Sequence, residues 1–298
     1  MPLRTDIWRL GLVKAPLEAV LRAGDLCSFD IVWGPQEPAF AFLADPFGLW
    51  RDGVLHVFAE AYDYRSRHGV IHLLRYDRTL TLLDRWRVLS EPWHLSYPQV
   101  FEADGETWML PEAYRSGTLT LYRATRFPYA WERVTTIPLD EPAIDATPFR
   151  HDGLWWLAYS PSRLKAGRQE RLHLAYAERL VGPWTVHPGN PVRIDRSSAR
   201  AGGTAVVGDG GVILPMQDCT RTYGGAIRPL RISRLSPDAF EAEPSPPIRA
   251  PLSAWPEIDG LHTLSAAGDV TLIDVKRIDR SPAGLAIDAG RALGFWRG

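Results

Sequence analysis

The chain has 298 residues, 45% of them hydrophobic and 23% charged, and its 34 basic and 35 acidic side chains give a net charge of −1. That balance leaves no basic excess for nucleic acid or an anionic membrane surface, and the composition is that of a folded chain with a large core. Cys27 and Cys219 stand alone, which excludes a zinc-ligand pattern and a disulfide framework, and no run of about 18 apolar residues is present to span a membrane.

The N-terminus has no basic segment followed by an apolar stretch, so a signal peptide is not read there and a cytoplasmic protein is the expectation. Residues 6–13 predict a strand through Ile7, Trp8, Leu10, Leu12 and Val13. Residues 15–23 predict a short helix, with Pro16 near its start and Gly24 at its end. From about residue 40 one hairpin pattern repeats. It runs from Asp45-Pro46-Phe47 to Asp52-Gly53, from Tyr97-Pro98 to Asp104-Gly105, from Asp145-Ala146-Thr147 to Asp152-Gly153, and from Gly202-Gly203-Thr204 to Asp209-Gly210. A weaker copy opens near Gly260 and ends at Gly268-Asp269.

Repeats of roughly 50 residues, each made of short strands, are the signature of a propeller. Strands are predicted at 45–51, 54–60, 69–75 and 84–89, then at 97–103, 106–112, 118–124 and 131–136. A third set falls at 146–150, 154–160, 171–177 and 183–187. The expected fold is all-β: a five-bladed β-propeller with a short N-terminal helix, one domain over 1–298, its blades opening near 45, 97, 145, 202 and 260. Pairing the N-terminal strand into the last blade would close the ring and remove the exposed sheet edge.

Asp-Gly turns favour tight two-residue hairpin loops, about which the flanking residues pair symmetrically. Asp45 then faces Glu60, Tyr97 faces Glu112, Asp145 faces Ser160, and Gly202 faces Gln217. Every such pair lies at the same end of its hairpin, so the ring gathers a polar, acid-rich cluster on one face. Gly202-Gly203 lies between strands, not ahead of a helix, so a nucleotide fold is not indicated.

The repeats resemble the five-bladed propellers of glycoside hydrolase family 43 and its relatives. The resemblance rests on Ala44-Asp45-Pro46, on Ile144-Asp145-Ala146-Thr147-Pro148-Phe149 followed by His151-Asp152-Gly153-Leu154-Trp155-Trp156-Leu157, and on Gly182-Pro183-Trp184. More closely, the chain is similar to the propeller family named after the N-terminal part of glucosamine inositolphosphorylceramide transferase. That similarity is carried by Phe42-Leu43-Ala44-Asp45-Pro46-Phe47, His94-Leu95-Ser96-Tyr97-Pro98, Leu110-Pro111-Glu112 and Gln217-Asp218-Cys219-Thr220-Arg221-Thr222-Tyr223-Gly224. The hydrolase resemblance implies that Asp45 is base or nucleophile and that Asp145 orients it and tunes its acidity. The third carboxyl of those enzymes opens blade four, and here that segment reads Ala199-Arg200-Ala201-Gly202, with none.

Glycoside hydrolysis needs one protonated and one ionised carboxyl, and clustered acids divide those roles by mutual repulsion. Glu112 is the expected proton donor and Glu60 the other candidate. Arg200, Arg221, Asp218 and Gln217 form a second constellation suited to an anionic sugar or sugar phosphate. The alternative is an ion-pair network that neutralises the acids. His94, Tyr97 and His262 lie at or just before inner-strand starts, as ligand contacts or as satisfied channel residues. Trp93, Tyr62 and Tyr64 stand beside that face as candidate stacking surfaces. No spaced metal motif and no cofactor motif is read, so neither is expected. The expected function is a glycosidase-like, carbohydrate-active enzyme working through clustered carboxylates on a glycan, glycolipid or sugar phosphate. The competing expectation is a non-catalytic carbohydrate-recognition propeller accessory to polysaccharide or glycolipid biosynthesis.

Overall fold

The computed structural model describes residues 5–208 and 210–295; Asp209, the first residue of the fourth predicted turn, lies outside the described residues. Five antiparallel sheets are arranged as the blades of a propeller. Blade one runs Ala41–Arg51, Val54–Asp63, His68–Tyr76, Leu82–Leu89, and blade two Ser96–Ala103, Glu106–Glu112, Leu119–Arg126, Ala130–Ile137. Blade three begins Ala143–His151, Leu154–Pro161, Arg171–Ala177 and is edged by Thr185–Val186 and Arg193–Ile194. Blade four carries Arg200–Ala201 and Val206–Gly208 on its inner edge, then Gly211–Asp218, Ala226–Ser236 and Ala239–Pro244.

Blade five is assembled from both ends of the chain. Gly260–Ala267 and Val270–Asp279 pair with the N-terminal strand Thr5–Val13, and Ile31–Trp33 completes the edge. The long ladder from Thr5↔Asp279 to Val13↔Thr271 closes the ring as the sequence suggests. The predicted helix is Leu17–Ala23, with Pro16 at its N-cap and Gly24 (φ 72°) ending it in the left-handed conformation that glycine adopts without strain. Two further helices, the single turn Gly167–Glu170 in blade three and Ala283–Ala292 after blade five, are not anticipated by the strand-and-turn reading.

The core is divided among the blade interfaces, and strand alternation explains the division. Successive side chains on a strand point to opposite faces. In Leu154–Pro161, Trp155, Leu157 and Tyr159 pack with Leu110 and Leu121 of blade two. Trp156 and Ala158 pack with Leu214, Met216 and Leu230 of blade four. A strand buried on both faces therefore reads as an almost unbroken apolar run.

Symmetric pairing about the turns holds from the turn inward and then fails. Arg51↔Val54 through Phe47↔Phe58 obey it, but Glu60 faces Ala44, not Asp45. Likewise Glu112 faces Ser96 and Ser160 faces Ile144, and Gln217 faces Arg200 in place of Gly202. One residue in each of the first three inner strands is extra and forms a β-bulge, which re-aims the side chain. Pro46 and Pro98 sit in two of these bulges, where a missing N–H costs no ladder bond.

Candidate active site

The bulges create the site. Asp45, Tyr97 and Asp145 adopt φ of 50°, 45° and 49° at equivalent places in blades one, two and three. Left-handed backbone at residues other than glycine costs about 1–3 kcal/mol each and persists only where surrounding contacts enforce it. In blade five the register shifts between Leu261 and Thr263, which leaves His262 as the extra residue. Blade four has Gly202-Gly203 there. The five inner strands thus bring Asp45, Tyr97, Asp145, Gly202-Gly203 and His262 around one axis.

Asp45 is held from three neighbours. Its N–H donates to Asp274 Oδ2 (2.7 Å), its Oδ2 accepts Tyr97 N–H (3.2 Å), and its Oδ1 accepts the Thr263 hydroxyl (3.2 Å). His262 Nε2 stands 3.5 Å from the same Oδ1. Burial raises the Asp45 carboxyl to about 7, with Asp274 and Asp145 reinforcing the rise and His262 and Arg200 opposing it. His262 places Nδ1 2.7 Å from Asp274 Oδ1, stacks on Trp8 at 3.6 Å, and meets the edge of Tyr223. Burial works against its charge, but Asp274 and Asp45 outweigh burial and hold its proton more tightly than usual.

Asp145 is claimed by cations and amides. Its Oδ2 accepts Arg200 Nε at 2.7 Å and Gln217 Nε2 at 2.8 Å. Arg200 also lies over the Tyr223 ring at 4.9 Å and donates to the Arg168 carbonyl. Burial disfavours its charge, yet the Asp145 carboxylate prevails and holds the guanidinium above its ordinary value. Gln217 turns its amide N–H groups to Asp145 and Ala201; its Oε1 is buried and has no hydrogen-bond partner among the described residues.

Among the described residues, Glu112 and Glu60 have no guanidinium partner. Glu112 accepts the Ser96 hydroxyl (2.9 Å) and the Tyr114 N–H (2.6 Å), and burial, aided by Asp145, raises it to about 7. Burial pushes Glu60 well up, and Asp45 and Glu112 add to the push. His94 stands 3.4 Å from Glu60 Oε1. Its Nδ1 accepts the Gly69 N–H, so the ring proton sits on Nε2, facing Glu60. Burial and Arg115 lower His94 to about 4, which keeps it neutral.

Tyr97 is fully buried and spans the axis. Gly203 N–H donates to its oxygen (2.6 Å), and its hydroxyl lies 3.0 Å from Thr147 Oγ1. A Cβ at Gly203 (φ 147°) would fall 1.7 Å from the Leu264 carbonyl oxygen, so only glycine lets blades four and five close there. Phe42, Tyr62, Tyr64, Trp8 and Tyr223 cluster as an aromatic group beside the acids. Trp93 instead packs between blades one and two with Phe58 and Ile71.

Asp218 and Arg221 stand apart from this cluster, in a cavity of about 380 Å³. Asp218 Oδ2 accepts Arg228 Nη2 (3.0 Å) and its Oδ1 caps Thr220. Arg221, expected to pair with Arg200 over the acids, is exposed. Three residues central to the site were not singled out from sequence: Asp274, Lys276 and Trp8. Lys276 is fully buried, with Nζ 2.9 Å from Asp6 Oδ2 and bonded to the Tyr223 carbonyl. The signal was a pair of charges at alternate positions within the apolar run Leu272-Ile273-Asp274-Val275-Lys276. Among the described residues, donor atoms of Asp45, His262 and Asp274 lie within 4.8 Å of one another and are the set that could hold a cation. His262 Nδ1 is already engaged with Asp274 Oδ1, which also accepts the His262 and Thr263 backbone N–H groups.

Comparison with known proteins bears on this site. A family model described as glucosamine inositolphosphorylceramide transferase 1, N-terminal, matches residues 34–251. Glucosamine inositolphosphorylceramide transferase 1 of Oryza sativa subsp. indica is 36% identical over 207 residues, 68% of this chain and 28% of that protein. Its counterpart in Arabidopsis thaliana is 35% identical over 203 residues, 67% of this chain and 26% of that protein. The chain spans less than a third of the length of these relatives. Among solved structures, a family 117 glycoside hydrolase of Zobellia galactanivorans matches with a TM-score of 0.56 at 16% identity, covering 81% of this chain and 86% of that one. An α-L-arabinofuranosidase of Podospora anserina, in complex with cellotriose, matches at 0.56 and 11%, covering 83% and 94%. At these identities the likeness is one of fold.

Proposed function

The chain belongs to the glucosamine inositolphosphorylceramide transferase 1 N-terminal family, and from that footing we propose that it is a carbohydrate-active enzyme cleaving or transferring at a glycosidic bond. Asp45 serves as base or nucleophile at the anomeric carbon. Glu112 delivers its proton to the departing glycosidic oxygen. Asp145, fixed by Arg200 and Gln217, tunes Asp45 through its charge. The buried Oε1 of Gln217 accepts a sugar hydroxyl, and Arg200, His262, Glu60, His94 and Tyr97 surround the acids that act on the sugar.

The observation that carries this reading is the state of the acids. Arg200 forms its ion pair with Asp145. Asp45 and Glu112, on adjacent blades, are buried without an arginine ion pair among the described residues, and each is raised to about 7, where a carboxyl can hold or release a proton near neutrality. Had the arginines held every carboxylate, binding alone would be favoured. A screen of aryl glycosides and glycans with the wild type, Asp45→Asn and Glu112→Gln tests it. Turnover untouched by both substitutions would remove these residues from the chemistry.

A second reading, carbohydrate recognition without catalysis, is favoured by Arg200 standing where hydrolase propellers open blade four with an acid. It predicts a measurable glycan affinity and no turnover on any member of the screen.

A further inference from the structure

We propose that the cavity holding Arg221 is a phosphoryl-binding subsite adjoining the acid cluster. Arg221, Arg249 and Arg280 line it together with Thr220, Thr222 and the backbone of Gly225. All three arginines are exposed, and none of the three guanidinium groups has a hydrogen-bond or ion-pair partner among the described residues. Its two acids have partners of their own: Asp218 holds Arg228 and Thr220, and Asp259 accepts the Ile278 N–H. Three arginines lining one cavity, without partners among the described residues, suit a phosphate, whose oxygens accept paired guanidinium N–H groups.

Topology sets this cavity on the same face as the acids. Asp218 ends the second strand of blade four, Asp259 precedes the inner strand of blade five, and Arg280 follows that blade's second strand. Strands alternate in direction, so these ends share the face from which the inner strands start. The two places are also joined by chain. Arg221 and Thr222 line the cavity, and Tyr223 touches Arg200 and His262. Arg221 and Tyr223 are two residues apart, a backbone span of at most about 7 Å, so the cavity and the acid cluster are neighbours along the chain. This inference rests on the carbohydrate reading above and narrows it to a phosphorylated sugar or glycoconjugate. Leu252 and Trp255, 79% and 75% exposed on the connection that also carries Arg249, make a lipid-borne phosphate one source and a soluble sugar phosphate the other.

Calorimetry with inorganic phosphate, glucose 1-phosphate, glucuronate and glucose tests the soluble source. Flotation with phosphatidylcholine vesicles, with and without phosphatidylinositol, tests the lipid source. Phosphoryl probes should bind in at least one arm, and glucose should not. Arg249→Ala and Arg280→Ala should each weaken that binding at least about tenfold, and the matching lysine variants should recover part of it. Unchanged melting temperatures would show that the exposed arginines are not needed for folding. Binding in neither arm, or binding indifferent to both alanine substitutions, overturns the subsite. Neither arm requires turnover, so Asp45→Asn separates the two claims. Intact phosphoryl binding in an inactive chain leaves the subsite standing whatever becomes of the catalytic assignment.

Discussion

Arg200 sets its Nε 2.7 Å from the Asp145 carboxylate, crossing from blade four to blade three beneath the Tyr223 ring. Asp145 is thereby matched, and Asp274 is matched by His262. Asp45, Glu60 and Glu112 are left to share few positive charges in a buried place, and each responds by holding its proton. Burial is what raises these three acids, and the partly buried Arg200, paired with Asp145, offsets that rise only in part at Asp45 and Glu112.

Removing Arg200 strands a buried carboxylate. Arg200→Ala should cost about 3–5 kcal/mol of stability, the usual penalty for breaking a buried pair from one side. Adding Asp145→Asn should restore much of it, because the two effects are coupled. Urea denaturation of the single and double variants measures both.

Stability should fall as pH rises from about 6.5 through neutrality. Between about pH 4 and about pH 6.5, His56, His72 and His94, each lowered to about 4 by burial, work in the opposite sense. Asp45 and Glu112 rise from 3.8 and 4.5 to about 7, so between those values the folded state keeps protons the unfolded chain has released. His262, raised above 6.5, acts in the same sense, since its contribution is lost as pH rises through its folded value. Asp63, Asp195 and Asp218, all lowered, oppose this only below about pH 4. Asp45→Asn and Glu112→Gln should therefore gain on the wild type in melting temperature between about pH 5 and about pH 8. A difference independent of pH would contradict the burial of ionisable carboxyls there.

Tyr97 ties blade two to the backbone of blade four. Tyr97→Phe leaves the Gly203 N–H without its 2.6 Å partner and should cost about 1–3 kcal/mol. Thermal unfolding checks the size, and a substrate affinity unchanged in the variant would assign Tyr97 to the scaffold instead of the ligand.

A base and an acid that both titrate near neutrality give a bell-shaped rate profile. The pH dependence of kcat/KM should peak near about 7, and Glu112→Gln should abolish its alkaline limb. A flat profile would exclude proton transfer by these groups.

Much of this architecture was legible because hairpins advertise themselves. Asp52-Gly53, Asp104-Gly105 and Asp152-Gly153 mark the turns, and the apolar runs beside them mark strands buried on both faces. The bulges were harder to see, since a one-residue slip leaves composition unchanged; Pro46 and Pro98 were the available hints. Asp45, Glu112 and Asp145 could be gathered in advance because they sit at repeating places. Asp274 and Lys276 could not, because they lie in the strand that the chain's N-terminus completes, where the repeat is weakest. Arg221 reads like a partner of Arg200 in sequence, but the turn at Gly224 (φ 56°) carries Tyr223 to the acids and leaves Arg221 outside.

The most direct test of the central assignment is the dependence of Glu112→Gln on the leaving group. With a panel of aryl glycosides of graded leaving-group acidity, a proton donor is dispensable only when the departing phenolate needs no proton. Glu112→Gln should approach wild-type rates on the most acidic phenols and fall by about 10²–10⁴-fold on the least acidic, and Asp45→Asn should be slow throughout. An equal loss across the whole panel would show that Glu112 does not deliver the proton.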